Sequence, residues 1–110
     1  MGWDGYANNT RGHKLTFKAA AQRVKEAAGS VDFGLHDGWL DCSACAMALE
    51  QATGASCWDE DGWSADKVRR LAAEARWPDE ILDDDKWAVL SAREFLETCA
   101  KIGTGIHFSW

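Results

Sequence analysis

The stretch Asp83-Asp84-Asp85-Lys86-Trp87-Ala88-Val89-Leu90-Ser91-Ala92-Arg93-Glu94-Phe95-Leu96-Glu97-Thr98-Cys99-Ala100-Lys101-Ile102-Gly103 decides the fold. Ala88, Ala92, Phe95, Leu96, Cys99 and Ile102 fall on one face of an α-helix. Aspartates at the start and Lys101 near the end complement the helix dipole, and Gly103 supplies a stop. The stretch therefore predicts one long helix. A competing reading breaks it, because Ser91-Ala92-Arg93-Glu94 matches a capping box and Trp87 to Leu90 then reads as a strand. The single helix is preferred.

Working outward, Ile106, Phe108 and Trp110 alternate with His107 and Ser109, the period of a terminal strand. Val31, Phe33 and Leu35 alternate in the same way with Asp32, Gly34 and His36, so a second short strand is expected there as its partner. Phe17, Ala20, Ala21, Val24, Ala27 and Ala28 recur at helical spacing between Thr16, a cap, and Gly29, a stop. After the Asp37-Gly38 turn, Asp41 is expected to cap a helix with Cys42, Cys45, Ala46, Leu49 and Ala52 on one stripe, closed by Gly54. Ser64 caps another, with Val68, Leu71, Ala72 and Ala75 inward, and Trp77-Pro78 ends it. Residues 1–14 read as an irregular N-terminal arm whose Trp3 and Tyr6 tuck onto the body. Residues 15–110 read as a single compact α+β domain, mainly helical, with about four helices and a small two-stranded β element.

Length and composition set the bounds. With 110 residues, 46% hydrophobic and 27% charged, the chain has the make-up of one ordinary globular domain, and no internal repeat or low-complexity tract interrupts it. Much of the core volume must come from seven Trp residues, because many of the apolar positions are Ala. No apolar run approaches a membrane span, and the opening residues lack the regions of a signal peptide, so a cytoplasmic location is expected. Reduced, free thiols are then expected at Cys42, Cys45, Cys57 and Cys99. The formal net charge of -6 argues against direct binding to nucleic acid or to an anionic membrane. The middle of the chain is the most acidic part, since no Lys or Arg occurs from Val31 to Asp66.

Two acidic tracts are candidates for binding. Trp58, Asp59, Glu60, Asp61 and Trp63 form an acidic tip between two aromatics, the mixture that marks interaction hot spots. It is no calcium loop of the EF-hand type, which would need an acidic residue at Cys57 and Glu at Val68. Asp83, Asp84 and Asp85 form the second tract and double as the N-terminal charge of the long helix. These features predict a small acidic protein-binding module, an inhibitor or adaptor that presents carboxylates and Trp to a basic surface of a partner protein, such as its nucleic-acid groove. In size and charge the chain is similar to the small acidic inhibitors that phages and mobile elements use against host defence enzymes, a likeness of class with no shared motif.

The sharpest chemical signal is Cys42-Ser43-Ala44-Cys45, a thiol pair in the first turn of a helix. Asp41-Cys42-Ser43 at a helix start resembles the nucleophile segment of NlpC/P60-type cysteine peptidases, with Ala44 where that family has Gly. The resemblance implies Cys42 as nucleophile and His107 as general base. A Cys-x-x-Cys pair is also the unit of dithiol exchange. A structural zinc site would join Cys42 and Cys45 to Cys57 and one of Cys99, His36 or His107. The plainest expectation needs no cofactor: Cys45 in line with Leu49, and Cys99 in line with Phe95 and Ile102, act as small core hydrophobes.

Overall fold

The computed structural model describes residues 3–8, 17–28, 39–58 and 61–109. Its elements are β1 (Asp4–Asn8), α1 (Phe17–Ala28), α2 (Ser43–Thr53), β2 (Gly62–Trp63), α3 (Ala65–Glu74), α4 (Asp83–Ile102) and β3 (Gly105–Ser109). The fold is α+β and mainly helical. Among the described residues no helix is long and apolar enough to cross a membrane.

The deciding stretch forms one unbroken helix of 20 residues, α4, against which α1, α2 and α3 all pack. Ala88, Ala92, Phe95, Leu96 and Cys99 are buried along it, and each large side chain removed from water contributes roughly 1.5–3 kcal/mol. Ser91 is itself fully buried, so it lies on the core face of the helix interior and caps nothing. Gly103 ends the helix with φ 74°, in the left-handed region that favours glycine, and Thr104 donates back to the Cys99 carbonyl at 3.0 Å.

Among the described residues the sheet has three strands in the order β1-β3-β2, one more than the sequence predicts, and all pairs are antiparallel. The expected partner of the terminal strand, Val31 to Leu35, lies outside the described residues. The partners found are β1, with Gly5 opposite Phe108, and β2, with Trp63 opposite Ile106. Part of the supposedly irregular arm is thus a regular strand. Its alternation was hard to read because Gly5 and Ala7 supply the inward positions, where a Cβ-free residue makes room for a neighbouring indole. Trp3 is fully buried beside them, and Phe108 lies between Trp3, at 5.5 Å, and Trp63, at 4.9 Å and edge-on. The Trp3 indole donates to the Cys57 carbonyl at 3.2 Å, which pins the loop after α2 to the sheet. Tyr6 and His107 meet on the opposite face, with ring centroids 4.9 Å apart and planes tilted by 49°.

Of the three expected caps, Asp41 and Ser64 lie among the described residues. Ser64 caps α3, accepting from the Lys67 amide at 3.2 Å. At α2 the cap is Cys42, one residue later than expected, because its sulfur accepts from the Cys45 amide at 3.3 Å. Gly54 closes α2 with φ 72° as predicted, whereas Thr16 and Gly29, the expected cap and stop of α1, lie outside the described residues.

Candidate functional site

Two stripes run along α2. Cys45, Ala46, Leu49 and Ala52 face the core, while Ala44, Met47, Ala48 and Gln51, spaced i, i+3, i+4, i+7, face the beginning of α4. On α4 the residues Asp85, Ala88 and Val89 answer them at the same spacing. The buried alanines Ala48 and Ala88 are too small to fill the space between the helices, and the segment Pro78 to Leu82 runs along its side. An open groove of about 280 Å³ results.

Hydrogen bonds at both ends hold the segment that forms this wall. The Arg76 amide donates to the Ala52 carbonyl at 2.9 Å, tying the chain after α3 to the end of α2. The Asp85 amide donates to the Leu82 carbonyl at 2.9 Å and begins α4. Leu82 is therefore the N-cap residue of α4, yet its side chain caps nothing and is 77% exposed. Both facts work against stability, since Ser, Thr, Asp or Asn at an N-cap is worth about 1 kcal/mol over an apolar residue. Met47, 56% exposed, faces the same groove. Glu80 and Asp85 lie in the lining, which holds no basic side chain among the described residues, and Asp83 and Asp84 are exposed on the adjoining turn.

A larger groove, about 500 Å³, lies between α1 and α4. Its lining charges balance, Arg93 and Lys101 against Glu94 and Glu97, and Arg93 is paired with Glu97 at 3.0 Å. Its described lining residues carry no net charge and no exposed large hydrophobe.

The tip between Trp58 and Trp63 is built differently from the expectation. Trp63 is buried under Phe108 and Ile106, so it is a core residue and presents nothing to a partner. The reason is local, because β2 pairs its residues with β3 and turns that indole inward. Trp58 is at the margin of exposure, at 36%. The Asp61 side chain is exposed while its carbonyl accepts from the Phe108 amide at 2.8 Å. Asp59 and Glu60 lie outside the described residues.

The cysteines divide into a pair and two separate core thiols. The Cys42 thiol donates to Cys45 Sγ at 3.2 Å, and all four cysteines are free. Burial pushes the Cys45 thiol up, helped by its hydrogen bond to Cys42 and by Asp41. Burial also raises the Cys99 thiol, and it pushes Cys57 up to about 12 with Glu50 nearby adding to the effect. Among the described residues no three His, Cys, Asp or Glu side chains converge as metal ligands, so Cys42, Cys45, Cys57 and Cys99 do not assemble the alternative zinc set. His107 packs against Tyr6, on the face of β3 opposite Ile106 and Phe108. Cys42 instead bonds to Cys45, whose side chain belongs to the core on the other face. The sheet therefore separates the nucleophile and base that the peptidase resemblance implies.

Of the predicted binding residues that are described, Asp85 lines the groove, and Asp83 and Asp84 are exposed on the adjoining turn. Met47, Ile81 and Leu82 complete it. Their signal in the sequence is apolar residues lying off the core stripes: Met47 outside the stripe of α2, and Ile81-Leu82 isolated between acidic residues before α4 begins. Fold and groove define a mainly helical α+β domain with an acid-rimmed apolar cleft. Comparison of the chain with protein-family models, with curated proteins and with solved structures gave no match.

Proposed function

We propose that this chain is a protein-binding module, an inhibitor or adaptor, that docks a basic amphipathic segment of a partner protein in the groove between α2 and the start of α4. The observation that carries the reading is Leu82, a large apolar side chain left exposed at a capping position where a polar residue would stabilise the helix. Together with Met47 it borders a floor of Ala48 and Ala88. A groove of this kind takes the apolar face of a helix or extended segment, and clustered exposed apolar area of this sort marks interaction surfaces. The occupant's charge follows from the rim: Glu80 and Asp85 in the lining and Asp83 and Asp84 beside it favour Lys and Arg flanking an apolar anchor.

The test is a calorimetric titration of the chain with a Leu/Lys peptide of helical amphipathic pattern, compared with the same peptide carrying Glu in place of Lys. The reading expects saturable one-to-one binding of the cationic peptide only, weakened about tenfold in Leu82→Ser, a loss of about 1.4 kcal/mol. Equal binding to wild type and Leu82→Ser, or none to either, would overturn it.

A further inference from the structure

We propose that Cys42 and Cys45 are a dithiol couple that exchanges with low-molecular-weight disulfides and closes to an intramolecular disulfide in the first turn of α2. The geometry carries this. The two sulfurs lie 3.2 Å apart, and the Cys45 amide donates to Cys42 Sγ at 3.3 Å. A disulfide bond is about 2.05 Å long, so closure requires an approach of roughly 1 Å. Cys42 can supply that movement because, as N-cap, it has extended backbone (φ −145°, ψ 154°) and lies outside the regular helix.

The members differ in access, which orders the chemistry. Cys42 is partly exposed and Cys45 is buried at 1%, so an incoming disulfide meets Cys42 first. Charge developing on that sulfur faces the Cys45 amide and the positive end of α2. The Cys42 thiolate attacks one sulfur of the disulfide RSSR, forming Cys42–S–SR and releasing RS⁻. Cys45 then gives up its proton to solvent, attacks Cys42 Sγ and expels the second RS⁻. The protein loses two protons and two electrons, and the disulfide takes them up as two RSH. Cys57 and Cys99 take no part, being fully buried in other parts of the core.

The test uses the whole chain incubated with oxidised glutathione, quenched in acid, unfolded, alkylated and mapped by peptide mass spectrometry. The expected product is a loss of two hydrogens confined to the peptide holding Cys42 and Cys45, with Cys57 and Cys99 fully alkylated. It cannot form in Cys42→Ser, where oxidised glutathione should react with the buried Cys45 at least tenfold more slowly than with wild type, while Cys45→Ser should stop at a glutathione adduct on Cys42. Should Cys45→Ser fail to fold, the wild-type map alone decides. A stable glutathione adduct on wild-type Cys42, a linkage through Cys57 or Cys99, or four alkylated thiols would each overturn the proposal.

Discussion

The Trp3 ring lies so close over Gly5 that a Cβ added at that glycine would stand 2.6 Å from Trp3 Cη2. Trp3 is fully buried, bonded to the Cys57 carbonyl and packed on Phe108, so the ring has no room to retreat. Gly5→Ala is therefore expected to lower stability by about 1–3 kcal/mol through overpacking. Urea denaturation followed by Trp fluorescence measures it, and an unchanged midpoint would show that the indole is not wedged between β1 and the core.

Leu82 gives a prediction of opposite sign. Leu82→Ser supplies the capping oxygen that α4 lacks and removes an exposed apolar side chain, so stability should rise by about 0.5–2 kcal/mol. The same substitution should weaken binding of a cationic amphipathic peptide. A gain in melting temperature with a loss of affinity separates a docking residue from a structural one, whereas a loss in both would make Leu82 a packing residue.

Ser91 Oγ is fully buried in α4 and has no hydrogen-bond partner among the described residues. Ser91→Ala removes that unsatisfied hydroxyl and substitutes a better helix former. Stability should stay level or rise by up to about 1 kcal/mol in the same denaturation assay. A clear loss would mean that the hydroxyl is bonded.

The buried thiols predict an alkaline loss of stability. Cys45, Cys57 and Cys99 are all raised in the folded chain, chiefly by burial, from an ordinary value of 9.0. Below that pH both folded and unfolded thiols are protonated and contribute nothing. Above it the unfolded chain releases protons that the folded chain retains, so unfolding gains about 1.4 kcal/mol per pH unit for each thiol. Tyr6, raised by burial and by Asp4, acts in the same sense above its ordinary 10.0. The urea midpoint measured across this range should fall steadily, and a flat profile would mean the thiols are solvated.

The helices were legible because each carries an apolar stripe of period 3.6 and a recognisable end: Gly54 and Gly103 stop α2 and α4, and Ser64 starts α3. β1 was not, since its inward positions are Gly5 and Ala7 and its stability comes from pairing with residues about a hundred positions away. β2 is only two residues long, too short for any period, so the inward turn of Trp63 could be known only from its register with Ile106. At the candidate site, the acidic half of the rim was readable as Asp83 to Asp85. The apolar half was not, because Met47 and Leu82 lie on separate elements that only the packing of α2 on α4 brings together. His107 and Cys42 show the reverse case. Their types suggested a joint chemistry that strand alternation puts on opposite sides of the sheet.

The most direct test of the docking groove is an amide chemical-shift map of the chain titrated with the cationic Leu/Lys peptide. The groove reading predicts that the largest shifts cluster at Ala44 to Gln51 and Asp79 to Val89, and that added salt weakens them. Shifts centred on Trp58 to Asp61 or on the α1–α4 groove around Arg93 to Lys101 would contradict it.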